Sequence, residues 1–196
     1  MGLLKGLSKL QIVLAKTDEH IHEVLEVRRK VYCNEISWLP PERLTDKYDE
    51  RAKYFMAKRR SKPVAAARLI LGDEELEVEE YLNIDLFRQL GKCAEISRLS
   101  VLPNFRCSLV TVGLFRAFYR FAITHNIRWF FIGSTPMGLK MYRKLGFEPI
   151  GNPVVSKTLN INQRFLVLDL EKARKEWEIN RPAMLKYFDE PLDGIG

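Results

Sequence analysis

The sequence predicts an α/β fold in which a mixed, mostly antiparallel sheet is flanked by helices, as a single domain over residues 1–196 with a loose tail from about 189. Three observations lead there. Strand-like runs at 54–59 and 64–71 are joined by Ser61-Lys62-Pro63, the pattern of a hairpin. A further strand, inside 94–103, runs into a seventeen-residue amphipathic helix at Leu109–His125 whose apolar stripe needs a sheet to pack on. No linker or internal repeat divides the chain, and 196 residues with 46% hydrophobic side chains suit one domain with a sizeable core.

Residues 11–15 form a short apolar run, a first strand. Thr17 and Asp18 then cap a helix in which Ile21, Val24, Leu25, Arg28, Val31 and Tyr32 recur at three- and four-residue spacing. Arg28 therefore falls in the apolar stripe, toward an interior pocket, where its fixed charge suits a carboxylate ligand. From 33 to 51 the periodicity stops. This long loop carries Trp38 and then Asp46-Lys47-Tyr48-Asp49, two acids placed to order the loop through backbone and arginine contacts or to receive an ammonium group.

On the strand 64–71, Val64, Ala66, Arg68 and Ile70 share a face, so Arg68 is a second arginine in apolar company and a partner for Asp46, Asp49 or Glu95. The six acids of 73–80 read as a solvated excursion and not a site. Asp85–Leu90 reads as a short helix. In the long helix, Leu109, Val112, Phe115, Phe118, Tyr119, Ala122 and Ile123 line one stripe, while Arg116 and Arg120 lie on another face, open to an acidic partner. A buried strand at 129–133 follows. Thr135-Pro136 opens a helix that closes at Gly146, and a last strand at 165–170 precedes a helix at 171–180.

The stretch Glu95-Ile96-Ser97-Arg98 places two charges on an otherwise buried strand. Burying either alone would cost several kcal/mol, so they must be paired, solvated by a cleft or held for a purpose. Strict alternation sends residues three apart to opposite faces. A bulge near Ser97 would bring them together, and bulges are frequent beside active sites.

The net charge of +7, with no run of five or more Lys/Arg, leaves nucleic acid the weakest partner class and favours an acidic protein or an anionic surface. No apolar run reaches the ~18 residues of a membrane span, and residues 1–6 are too short for a secretory signal, so the chain is expected in the cytoplasm without stable membrane insertion. Cys33, Cys93 and Cys107 are odd in number with no C-x-x-C pair, and His20, His22 and His125 lack metal spacing. Neither disulfide nor metal is expected.

The order of elements, ending in Tyr142-Arg143-Lys144-Leu145-Gly146-Phe147, resembles the Gcn5-related N-acyltransferase (GNAT) fold. Within it, residues 27–101 resemble the acyl-homoserine-lactone autoinducer synthases and their relatives, the long-chain N-acyl amino acid synthases. Val27-Arg28-Arg29-Lys30-Val31-Tyr32 is similar to their Leu-Arg-x-x-Val-Phe helix motif, Trp38 falls at their tryptophan, and Asp46-Lys47-Tyr48-Asp49 fits their Asp-x-x-Asp. Arg68 matches the strand arginine, and Glu95-Ile96-Ser97-Arg98 their Glu-Leu-Ser-Arg. After the central strand, Asn104-Phe105-Arg106-Cys107-Ser108 lacks the glycines with which coenzyme A users bind pyrophosphate, leaving Arg106 for one phosphate. Met137-Gly138-Leu139-Lys140 departs from the Met-Glu-Arg of lactone synthases.

The resemblance implies an N-acyl amino acid synthase, moving a long-chain fatty acyl group from acyl carrier protein to the amino group of an amino acid, tyrosine in the best-known case. It implies no permanently bound cofactor, the phosphopantetheine thioester of acyl carrier protein being a co-substrate. The alternatives are an acyl-homoserine-lactone synthase using S-adenosylmethionine and, in another class, a non-catalytic lipid- or carrier-protein-binding module. Under the first reading Glu95 takes the acceptor's proton, Tyr142 protonates the leaving thiolate, and Arg98 stands with them, bracing the site with Asp46 and Asp49. Backbone N–H groups after Arg98, at Leu99, Ser100 and Val101, hold the oxyanion; Arg28 or Arg68 grips the acceptor carboxylate. Tyr32, Trp38 and Ser134 line the substrate pocket, and Arg116, Arg120, Lys140, Arg143 and Lys144 dock the carrier protein.

Overall fold

A computed structural model describes residues 10–106, 109–192 and 194–195. Residues 1–6, discussed above as a signal candidate, and Cys107 and Ser108 of the loop after the central strand lie outside the described residues. Seven strands form one sheet in the order β1-β2-β3-β4-β5-β7-β6: β1 Leu10–Leu14, β2 Lys53–Arg59, β3 Lys62–Leu71, β4 Lys92–Val101, β5 Ile127–Ser134, β6 Glu148–Val155 and β7 Asn162–Asp169. The pairings are antiparallel except for β4 with β5. The helices are α1 Asp18–Arg28, α2 Asp85–Leu90, α3 Leu109–His125, α4 Leu139–Lys144, α5 Leu170–Asn180 and α6 Pro182–Asp189.

One face of the sheet carries α3 together with α5 and α6, closing a core around Phe55, Phe118 and Phe130. The opposite face carries α1, whose Val24 and Val27 pack on Tyr54, Met56 and Ala66. α1 starts as its sequence demands, with Thr17 Oγ1 accepting the His20 N–H at 3.2 Å. Its helical path does not stop at Tyr32. It widens into a π-helix over Arg29–Glu35 that keeps Val31 and Tyr32 buried. The β2–β3 hairpin turns on Arg60-Ser61, both at positive φ, one residue earlier than the expected Ser61-Lys62-Pro63.

The structure departs from the sequence reading in several places. Residues 136–138 form a turn, with the Gly138 N–H donating to Thr135 O, so α4 begins at Leu139 and not at Thr135-Pro136. Its end matches expectation: the Gly146 N–H donates to Arg143 O, the Phe147 N–H to Tyr142 O, and Gly146 sits at φ +94°. β6 was not anticipated because Pro149, Gly151 and Pro153 punctuate it, which an edge strand with a register shift between Ile150 and Val154 tolerates. α6, ahead of the tail expected from about 189, buries Leu185 and Phe188, and within that tail Leu192 packs on the main core and Ile195 is buried in it while Glu190, Pro191 and Gly194 are exposed. That helix group packs against α3, which is why α3 buries residues around most of its girth while Ile123 is exposed. Among the described residues, no helix is long and apolar enough to cross a membrane.

Candidate active site

β4 and β5 pair from Lys92 opposite Ile127 to Ile96 opposite Ile132, and there the pairing stops although both strands continue. A cavity of about 150 Å³ occupies the opening, walled by Ser97, Arg98 and Leu99 on β4 and by Gly133 and Ser134 on β5. Glu95 lies at the last paired rungs, and Tyr32, Trp38, Glu77, Gln163 and Tyr142 enclose the remainder.

The bulge expected near Ser97 is present one residue later. Ala66 and Arg68 of β3 face Ser100 and Ser97 of β4, so β4 takes up one extra residue at Arg98-Leu99, with Arg98 at φ +51°. Before the bulge Ala94 and Ile96 pack into the α3-side core; after it Leu99 and Val101 do. Arg98 is thereby turned onto the same face as Glu95. A left-handed φ at a non-glycine residue costs about 1–2 kcal/mol, and that strain is what aims the guanidinium into the cavity.

Behind this wall lies an ion cluster. Arg68 is fully enclosed and uses every guanidinium nitrogen. Its Nε donates to Ser97 Oγ at 2.9 Å, Nη1 to Asp46 Oδ1 at 2.5 Å and Asp49 Oδ2 at 2.9 Å, and Nη2 to Glu77 Oε2 at 2.8 Å. Arg98 Nη2 donates to Asp46 Oδ2, and its Nη1 lies 3.7 Å from Glu77 Oε1. Arg28 Nη1 donates to Asp49 Oδ1 at 2.8 Å and Leu44 O at 3.1 Å. The aspartates also order the loop: Asp49 Oδ2 accepts the Asp46 N–H and Asp46 Oδ1 the Tyr48 N–H. Tyr54 donates to Asp49 Oδ1 at 2.6 Å.

Three guanidinium ions thus meet three carboxylates, and the cluster is neutral before Glu95 is counted. Glu95 makes no ion pair among the described residues, and its Oε2 accepts one hydrogen bond, from the Val78 N–H at 2.9 Å. Enclosure, reinforced by the Glu77 carboxylate, pushes Glu95 up to about 8, so it holds a proton at neutral pH. Burial acts on Asp46 in the same direction, but Arg68 and Arg98 outweigh it and hold that carboxylate at about 2. Enclosure raises the phenols of Tyr32 and Tyr142, which stay protonated.

The structure brings together Glu95, Arg98, Tyr142, Tyr32, Trp38, Leu99 and Ser134 around the cavity. Tyr32 and Trp38 meet edge to face at 5.4 Å between ring centroids. Arg28 and Arg68, expected to grip a substrate carboxylate, do not line the cavity, being committed to the acids behind it. Ser100 is enclosed and donates to Arg98 O, and Val101 packs in the core, so neither side chain reaches the cavity. Arg116 donates to the carbonyls of Glu190 and Pro191 and Arg120 to that of Asp189, so both hold the C-terminal segment and are not free for a partner. Lys140, Arg143 and Lys144 are exposed and border a shallow groove with Pro136, Leu139 and Arg181. Arg106, expected to be free for a phosphate, donates to both carboxylate oxygens of Glu35 at 2.8 and 2.7 Å.

Glu77 is the largest correction. The acidic run is solvated only in its first half: Asp73, Glu74 and Glu75 are exposed, whereas Leu76 and Val78 are fully buried and Glu77 is 7% exposed. The alternation of Leu76 and Val78 with acids was the available signal. Gln163, from β7, had none; its side chain lies over Gly133, where an added Cβ would stand 2.9 Å from Oε1.

The sheet, with its one parallel pair opening around the enclosed Glu95 carboxyl, has the fold of several solved acyltransferases and synthases. An acetyltransferase of the GNAT family from Staphylococcus aureus Mu50 superposes with a TM-score of 0.58 at 14% identity, over 82% of this chain and 99% of that one. FeeM, an N-acyl amino acid synthase from uncultured soil microbes, superposes with a TM-score of 0.73 at 16% identity, over 85% of this chain and 93% of that one. BjaI, a CoA-dependent acyl-homoserine lactone synthase, reaches 0.64 at 19% identity, over 92% and 87%. The family model described as N-acyl amino acid synthase FeeM matches residues 23–169, and the chain belongs to that family. No curated protein matches it in sequence.

Proposed function

We propose that this protein transfers a long-chain fatty acyl group from acyl carrier protein to the amino group of an amino acid, tyrosine being the first acceptor to test. The observation that carries this reading is Glu95, an enclosed carboxyl with no cationic partner among the described residues, facing a cavity where the backbone opens. Such a group is matched to an amine, whose proton must leave before nitrogen attacks a thioester. Membership of the synthase family supports the same chemistry.

The amine nitrogen bonds to the thioester carbonyl carbon, and the C–S bond breaks. Of the two protons the acceptor ammonium loses, one leaves through Glu95 to solvent and the other ends on the departing sulfur, carried by Tyr142. Tyr142 lines the cavity, is protonated, and has no hydrogen-bond partner for its hydroxyl among the described residues, which leaves it for that sulfur. Arg98, at the wall, takes the acceptor carboxylate, the part first given to Arg28 or Arg68. Backbone N–H groups at the bulge hold the oxyanion. Lys140, Arg143 and Lys144, on the helix that supplies Tyr142, meet the acidic carrier protein, with the chemistry in the cytoplasm and no cofactor retained between turnovers.

The test is a purified reaction with palmitoyl-acyl carrier protein or palmitoyl-coenzyme A, a mixture of amino acids, and mass spectrometry of the products. N-palmitoyl-tyrosine formed from the carrier-protein thioester is the expected result. Product from coenzyme A alone would overturn the donor, a lactone formed only with S-adenosylmethionine the acceptor, and silence with every acceptor the enzymatic reading.

A further inference from the structure

Two carboxylates face one cavity here, and they are not alike. Glu77 is held in place by Arg68 Nη2 at 2.8 Å with Arg98 Nη1 at 3.7 Å, whereas Glu95 has no guanidinium within ion-pair distance among the described residues. The two are tied together, since the residue after Glu77 donates its backbone N–H to Glu95 Oε2. Three arginines already balance Asp46, Asp49 and Glu77, so an ionised Glu95 would leave the enclosure with one negative charge in excess. Either a proton or an incoming cation must supply the missing positive charge.

We propose that Glu77 is a positioning residue of the acceptor site: with Glu95 it forms a two-carboxylate seat for the acceptor's ammonium, in which Glu95 keeps a proton until the cation replaces it. This deepens the synthase reading and rests on it. The exchange conserves charge. The ammonium enters as Glu95 releases its proton to solvent; the ammonium then gives a proton to Glu95, freeing the nitrogen lone pair, and the cycle returns Glu95 to its protonated state. A seat of this kind rejects an uncharged acceptor, which cannot displace the proton, and so selects amines over alcohols and water.

The groups around Glu95 all bear on this. Glu77 opposes its ionisation; Arg68 on β3 and Arg98 on β4 favour it, as does the Val78 N–H. The remaining titratable groups at the cavity are the protonated phenols of Tyr32 and Tyr142. Replacing Glu77 by glutamine removes the opposing charge and leaves Arg68 and Arg98 less compensated. Both changes lower the pH at which Glu95 ionises.

The experiment compares wild type, Glu77→Gln and Glu77→Asp, with L-tyrosine and palmitoyl-acyl carrier protein as substrates. The acidic limb of kcat/KM for tyrosine should move down by about one pH unit or more in Glu77→Gln, with KM for tyrosine up roughly tenfold and kcat on the plateau less affected. Glu77→Asp should restore the wild-type limb. A limb unmoved in Glu77→Gln would overturn the proposal. Carbon-13 NMR titration of the Glu95 carboxyl provides a readout without turnover. If wild type forms no product, the synthase reading fails, yet Glu95 should still titrate lower in Glu77→Gln than in wild type. Equal titration in the two proteins would overturn the role of Glu77 whatever the reaction proves to be.

Discussion

At the scale of single residues the site is a problem in charge placement, and Glu95 is its decisive member. A carboxyl whose folded pKa is raised stabilises the fold while protonated: the unfolded chain gives up the proton near 4.5, the folded one near 8, and the contribution is lost as pH rises between them. Wild-type stability should therefore fall from about pH 4.5 to about pH 8, and Glu95→Gln, which never ionises, should lack that component in urea denaturation at a series of pH values. The same substitution should lower kcat by roughly a hundredfold or more, because it removes the proton acceptor. A Glu95→Gln enzyme of wild-type rate would remove Glu95 from the chemistry. Arg68, Glu95 and Arg98 were legible in the sequence because charge in an apolar pattern demands a reason. Glu77 was not, because its neighbours are acids too and an acidic run reads as solvent-facing until Leu76 and Val78 are seen buried.

At the scale of elements, the β4 bulge and the turn before α4 set the shape of the cavity. One extra residue at Arg98-Leu99 reverses which face each later β4 side chain takes, so the motif Glu95-x-x-Arg98 acts on one side of the sheet. That bulge was inferable, since two charges three apart cannot otherwise share a face. The turn was hidden, because Thr135-Pro136 has the chemistry of a helix start, and the three residues after Thr135 fold back first. Gly138 in that turn has φ −78°, which any residue adopts, but an added Cβ would stand 2.6 Å from Ser134 Oγ and 3.0 Å from the Tyr142 ring. Gly138→Ala should therefore crowd the donor side of the cavity, raising KM for the acyl thioester roughly tenfold while thermal stability changes little. A large loss of melting temperature with unchanged KM would show that the glycine serves packing alone.

At the scale of the whole molecule, the net charge of +7 is divided between two different uses. Arg116 and Arg120 are spent internally: they hold the carbonyls of 189–191, and the Arg116 guanidinium lies 4.5 Å from the Tyr187 ring centroid. A count of basic residues cannot separate these from Lys140, Arg143 and Lys144, which are exposed and form no ion pair among the described residues. The distinction needed α6, and α6 was unreadable because its apolar residues have nothing to pack on until α3 and α5 are in place. The two groups should respond differently to charge reversal. Lys140→Glu, Arg143→Glu and Lys144→Glu combined should raise KM for acyl carrier protein by one to two orders of magnitude at low salt, leave KM for the amino acid and the melting temperature near wild type, and lose the difference as ionic strength grows and screening removes the attraction. Arg116→Glu should instead lower the melting temperature, because it sets a carboxylate against the carbonyls of Glu190 and Pro191. Equal effects of both variants on carrier-protein KM, with neither changing stability, would mean that the α3 arginines are free to dock and that the C-terminal segment does not occupy them.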